Sequence, residues 1–178
     1  VTHDRIETDR LLLREWEESD AEALLATYSH DEVWRWLGAA PAPCPDLETA
    51  RTRPARWAAL ADGPLGFWAV ETPGVAGIVP QPVGSAILLT LPRSDGGPSD
   101  AIEVGWALHP AAWGHGIATE AALALLGRAR SAGIPRVHAV VYEGNVRSMA
   151  VCDRLGMTRL GPTREWYGVE FVDHVLDL

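Results

Sequence analysis

Only two cysteines, Cys44 and Cys152, stand in 178 residues. They have neither metal-ligand spacing nor the density of a disulfide framework, so a reducing cytoplasm is the expected compartment. No apolar run nears the ~20 residues that span a bilayer, and the polar opening VTHDRIETDR does not read as a signal peptide. Positive charge is in short supply too. A net charge of -9 argues against a general nucleic-acid binder, which would want a basic face. It suits a cationic acceptor such as an amine, and equally serves solubility alone. With 47% apolar and 22% charged residues, no internal repeat and no convincing linker, 1–178 reads as one soluble domain with a good-sized core.

What is present centres on Ile102 to Arg130, IEVGWALHPAAWGHGIATEAALALLGRAR. Ile102, Val104, Trp106 and Leu108 alternate with Glu103, Gly105, Ala107 and His109, which predicts a strand. Pro110 removes a donor and stops pairing. After Trp113-Gly114-His115-Gly116-Ile117-Ala118 comes Thr119 and an Ala/Leu-rich run to about Arg130 with strong helix propensity. Glycines let the backbone approach a ligand, and the helix aims unpaired N–H groups at the turn. That geometry favours phosphate or pyrophosphate. A dinucleotide fingerprint would need a third glycine where Thr119 stands, and a P-loop would need a lysine that is not near.

The rest of the chain supplies strands and helices on either side. Ile6 to Trp16 reads as a first strand, with Leu11 and Leu13 on one face and Leu12 on the other. Ser19 or Asp20 is a candidate N-cap for a helix from Ala21 to Tyr28. Asp31 to Leu37 predicts a second short helix ending at Gly38, and Ala39 to Asp46 a loop. Leu47 to Ala61 reads as a helix that Pro54 kinks or breaks. Phe67 to Thr72 and Val83 to Leu91 are strand-like, and the connections Pro73 to Pro82 and Arg93 to Asp100 are either acceptor-side loops or tolerated insertions. Val137 to Tyr142 predicts a strand buried on both faces. Val146 to Leu155 is helical and stops at Gly156. Gly161 to Trp166 and Phe171 to Leu178 close the chain as a strand pair across Tyr167-Gly168.

The central turn resembles motif A of the GNAT acyltransferases, [Q/R]-x-x-G-x-[G/A], with Trp113 at the first position, where that motif has Gln or Arg. Together with A-T-E-A at 118–121 it is similar to the RimJ/RimL-type branch, P-x-x-W-G-x-G-x-A-T-E-A. The segment N-V-R-S-M-A-V-C-D-R-L-G-M from Asn145 resembles the family's second signature, with Met157 in place of Phe, and the opening T-D-R-L-L-L-R matches as well. The resemblance covers essentially the whole chain. It implies an α/β GNAT fold: a single mixed, mostly antiparallel sheet flanked by helices, with a central strand pair splayed at the acetyl-CoA site.

The implied activity is N-acetylation by direct attack of a primary amine on acetyl-CoA, the acceptor being a protein N-terminus or a small amine. No metal or membrane is implied, and a homodimer is suggested. Backbone N–H groups of Ala107, Leu108 and His109 would meet the pantetheine, and those of Gly114, His115, Gly116, Ile117, Ala118 and Thr119, beside Trp113, the pyrophosphate. Asn145 would bond the pantetheine or a substrate-side group, or simply cap the next helix. Many members carry a tyrosine as general acid seven residues after that asparagine; here it is Cys152, which leaves Ser148 as the candidate acid. Cys152 itself reads as a packed residue. The missing tyrosine keeps open a second reading, a non-catalytic acyl-CoA-binding or regulatory module of the same fold. Glu103 is the candidate base, directly or through a water, or else the solvent-facing partner of an arginine. His109 and His115 lack a third metal ligand. His138, Asp173 and His174 read as structural residues near the acceptor cleft, and Trp34, Trp36, Trp57, Trp68 and Trp166 as core or rim.

Overall fold

The alternation from Ile102 onward produces the strand it predicts. In the computed structural model, which describes residues 5–73 and 81–178, this is β5 (Ile102–Leu108), antiparallel along its whole length with β4 (Gly84–Thr90). On the far side of β4 lie β3 (Gly66–Glu71), β2 (Leu12–Glu15) and β1 (Ile6–Glu7), each antiparallel to its neighbour. On the other side of β5 lie β6 (Arg136–Val141), then β8 (Phe171–Asp177), then β7 (Thr158–Thr163) at the edge. The eight strands form one sheet of order β1-β2-β3-β4-β5-β6-β8-β7. Only β5 and β6 run parallel, and they share a single register pair, Glu103 with His138. Beyond it the two strands separate, as the splayed central pair requires.

Helices cover both faces. The Ala/Leu-rich run forms α4 (Ile117–Ser131), whose buried Ala121, Ala122, Leu125, Leu126 and Ala129 recur at helical spacing and meet Val104, Val137, Ala139 and Val141 in the larger core. Behind it α5 (Val146–Arg154) buries Val151 and Cys152. On the opposite face α1 (Ala21–Tyr28), the single turn α2 (Asp31–Trp34) and α3 (Leu47–Ala58) enclose a second cluster around Trp16, Leu24, Tyr28 and Ala69. Two polar devices lock this side. Ser85 accepts hydrogen bonds from Tyr28 Oη at 2.6 Å and Trp16 Nε1 at 3.1 Å. The Arg14 guanidinium donates to Asp20 at 2.7 Å and to Glu71 at 2.6 Å, joining β2, the 3-10 turn Glu18–Asp20 and β3.

Several expected boundaries shift for local reasons. The strand expected over Ile6 to Trp16 is two strands, because the Thr8 hydroxyl accepts from the amides of Arg10 and Leu11 and closes a turn between them. Leu11 and Leu13 are nevertheless both buried. Asp20 precedes α1 without capping it, since Arg14 and the Glu17 amide hold its carboxylate. The helix expected to Leu37 ends at Trp34, and that expected to Ala61 ends at Ala58 and runs through a buried Pro54. The β7 strand lies at 158–163 rather than 161–166, with a bulge between Arg159 and Gly161. β6 is buried on one face only: Val137, Ala139 and Val141 are covered, while His138 and Val140 are half-buried and Val140 lines a cleft. The connection at 73–82, which the sequence leaves as an acceptor-side loop or a tolerated insertion, falls mostly on 74–80, outside the described residues.

Candidate active site

Where β5 and β6 part, a cleft of ≈ 1210 Å³ opens and runs from the 113–118 turn past Glu103 to the hairpin between β7 and β8. Strand geometry sorts the amides along it. His109 N–H donates to Val83 O at 2.8 Å, and Ala107 is the register partner of Ser85. Odd-numbered β5 amides therefore aim at β4, and those of Trp106 and Leu108 aim into the splay. Of the expected trio Ala107, Leu108 and His109, only Leu108 offers its N–H to the cleft, and Trp106 joins it. His109 has a structural task instead: its Nδ1 accepts from Ala111 N at 3.2 Å and caps the 3-10 turn Pro110–Ala112. Burial and the neighbouring His30, 4.8 Å away ring to ring, hold the imidazole below its usual range.

The turn is built for an anion. Gly116 sits at φ 77 as the N-cap of α4 and has no side chain to spend on the helix, so the Ile117, Ala118 and Thr119 amides face the turn. Trp113, which departs from the family's Gln or Arg, braces the turn through Nε1 to Leu108 O at 2.9 Å. Three guanidiniums gather here in a chain of net charge -9. Arg147 lies 4.5 Å over the Trp113 ring, Arg154 donates to Thr119 Oγ1 at 3.3 Å, and Arg10 donates to His115 O at 2.9 Å. A cleft of this size with a basic, amide-lined end fits a CoA thioester. Among the described residues no group of three or more His, Cys, Asp or Glu side chains could hold a metal ion, and no helix is long and apolar enough to cross a membrane.

Glu103 and Ser148 line the same cleft. Glu103 is 8% exposed and pairs with no arginine; it accepts a hydrogen bond of 2.5 Å from Tyr167 Oη. Burial pushes its carboxyl up to about 7, the Tyr167 bond opposing and the charge of Asp173 adding to the rise. The sequence marks Tyr167 only as a turn residue, yet among the described residues it gives this carboxyl its one side-chain hydrogen bond. Its φ of 56 is rare for a residue with a Cβ. The 91–101 connection holds it there: Tyr167 N–H donates to Pro92 O, Gly168 N–H to Ser94 Oγ, and Arg93 pairs with Glu165. Sequence offered only the Tyr-Gly dipeptide as a signal.

The second signature folds as a capped helix start. Asn145 Oδ1 accepts from Ser148 N at 3.3 Å, so the capping reading of Asn145 is realised, and Ser148 sits in the first turn of α5 facing the cleft. Cys152 is buried and its thiol pushed up to about 12, chiefly by that burial, which makes it a packing residue and no nucleophile. His138 Nδ1 lies 3.1 Å from both Asp173 oxygens, and Trp166 Nε1 bonds Asp173 at 3.4 Å. His174 is buried with its Nδ1 unpartnered among the described residues.

Comparison with known proteins agrees with this geometry. A family model described as "Acetyltransferase (GNAT) domain" matches residues 10–158. The uncharacterised N-acetyltransferase YoaA of Bacillus subtilis (strain 168) is 29% identical over 163 residues, covering 90% of this chain and 86% of YoaA. A GNAT-family acetyltransferase from Bacillus anthracis superposes with a TM-score of 0.74 at 22% identity, over 98% of each chain. RimL, a ribosomal L7/L12 alpha-N-protein acetyltransferase solved with coenzyme A, gives 0.74 at 19% identity, again over 98% of each chain. With its family model spanning most of the length, the chain belongs to the GNAT acetyltransferases.

Proposed function

We propose that this protein is a RimJ/RimL-type, acetyl-CoA-dependent N-acetyltransferase that works in the cytoplasm by direct attack of a primary amine within a ternary complex. The observation that carries the reading is the buried Glu103 carboxyl, poised near neutrality in the cleft that also holds the amide-lined turn. The acceptor is the N-terminus of a protein, as the name of the RimL structure says of that enzyme, or a small amine. Two unpaired, buried cysteines fit the compartment.

Acetyl-CoA supplies an activated thioester. The Trp106 and Leu108 amides would hold its pantetheine and polarise the carbonyl. The Gly114–Thr119 amides, with Arg147 and Arg154 nearby, would hold the pyrophosphate. Asn145, fixed by its cap bond, keeps its amide donors for the pantetheine. Glu103 takes a proton from the acceptor ammonium, and the Tyr167 hydroxyl stabilises the ionised carboxylate that must do so. Ser148 gives a proton to the departing sulfur. Excluding Cys152 as nucleophile supports attack without an acetyl-enzyme.

A thiol-release assay against peptides with free N-termini, polyamines and aminoglycosides, run beside calorimetric titration of CoA, tests the reading. One-to-one CoA binding with turnover of one amine class is expected, and Ser148→Ala should bind CoA normally while turning over about a hundredfold more slowly. The chain contains no lysine, so acetyl-lysine formed in the assay belongs to the acceptor. Failure to bind CoA would overturn the reading.

A further inference from the structure

We propose that the acceptor is a single primary amine borne on a flat apolar body, with an anionic group about two strand spacings away, and not a polycation. The proposal rests on the acetyltransferase reading and concerns the half of the cleft beyond the CoA turn. One wall of that half carries Trp36, Phe171 and Tyr167, with Tyr142 behind them linking Trp36 to Phe171. Trp36 meets Tyr142 at 6.5 Å between ring centres, Tyr142 meets Phe171 at 4.6 Å, and Phe171 meets Tyr167 at 6.0 Å. These rings end at Glu103, on which the Tyr167 hydroxyl rests. The facing wall carries Trp57 stacked flat on Phe67, 4.1 Å apart and 5° from parallel.

The floor between the walls follows the sheet register Phe67–Ile87–Gly105. Gly105 leaves a recess in it. A Cβ there would lie 3.0 Å from Ile87 Cγ1 and 3.8 Å from Glu103 Oε1, so the bare backbone keeps open the space beside the carboxyl where an amine carbon must sit. Aromatic walls can attract one ammonium and, being poorly solvating, favour its free base once Glu103 has taken the proton.

Charge decides against a polyamine or an aminoglycoside. Two carboxylates, Glu32 and Glu103, line this half of the cleft, and Glu103 is reserved for the reacting amine. Against them stand Arg53 and Arg56, one helical turn and one residue from Trp57 on α3. Their neighbour Arg51 pairs with Glu48 at 4.0 Å, but neither Arg53 nor Arg56 enters an ion pair among the described residues. Arg53 packs over the Tyr28 ring at 5.2 Å, which leaves its donors for a ligand. Further cationic groups on the acceptor would meet these guanidiniums, whereas a carboxylate or phosphate would be held by them. Phe67 and Gly105 are two strand spacings apart, so the amine and the anion should be separated by about 10 Å.

The test compares acetylation of the tripeptide Gly-Gly-Phe, which spans about 10 Å when extended, its C-terminal amide, and spermidine, with calorimetric CoA binding and thermal melts as controls. Gly-Gly-Phe should exceed its amide by about tenfold in kcat/KM, since one charged hydrogen-bond partner is lost, and exceed spermidine by more. In the double variant Arg53→Met/Arg56→Met, with CoA binding and melting temperature retained, the preference for acid over amide should shrink to under about threefold. Spermidine as the best acceptor, or equal turnover of acid and amide by the native protein, would overturn the proposal while leaving the acetyltransferase reading intact. CoA binding without turnover of any amine would overturn both.

Discussion

Replacing Glu103 by glutamine lowers kcat/KM by about 10²–10⁴, the usual contribution of a positioned general base. Glutamine keeps the size and can still accept from the Tyr167 hydroxyl, so the loss isolates proton transfer from packing. In the native protein kcat/KM should climb with pH through about 7, as the buried carboxyl ionises; in Glu103→Gln that limb vanishes. The same substitution has an opposite effect on stability. Glu103 is raised in the folded state from 4.5 to about 7, so the folded state holds its proton more tightly than the unfolded one. Stability then falls as pH rises from about 4.5 to 7 and levels off above, where burying the charge costs about 3 kcal/mol. Glu103→Gln should therefore match the native protein near pH 4 and exceed it by about that amount near pH 8, by denaturant titration. A variant that lost activity and melted identically at both pH values would show that Glu103 is not held out of water as described.

Gly84→Ala should be the most damaging small substitution in the sheet. Gly84 has φ +150, and a Cβ on it would lie 2.2 Å from Ala107 O and 2.7 Å from Leu108 Cα. Both are backbone atoms of β5 and cannot swing aside. Strain and overpacking together cost about 3–4 kcal/mol, or about 10 °C in melting temperature for a chain of this size. The displaced atoms adjoin the Leu108 amide, so CoA affinity should fall as well. Gly63→Ala is the control: φ is +57 with nothing within 4 Å of the added carbon, so it carries strain alone, about 1 kcal/mol. Equal melting of the two variants would show that contact with β5 is not what Gly84 preserves.

The stretch from Ile102 to Ser131 was legible in one dimension because its apolar period changes from 2 to 3.6 across a glycine turn, and both halves are half-buried. The second signature was legible for a similar reason: Asn145 and Ser148 cooperate within four residues. What escaped reading depends on distant partners. Glu103 is legible as a candidate base, but the hydrogen bond that orients it comes from Tyr167, 64 residues on in a hairpin tip whose own pattern says only turn. His109 loses its amide to Val83 through a register no local pattern encodes. β7 was misplaced because TRLGPT is an edge strand with no covered face, hence no alternation to detect. β6 looked buried on both faces because the wall of a binding cleft is made of the same residue types as a core.

Direct attack in a ternary complex is the central claim, and two-substrate initial-velocity kinetics test it most directly. With acetyl-CoA varied at several fixed amine concentrations, double-reciprocal lines should intersect if one cleft holds amine and thioester together, and Cys152, buried as a thiol, offers no covalent route. Parallel lines, with an acetyl group trapped on the protein in the absence of amine, would mean a covalent intermediate and contradict the account.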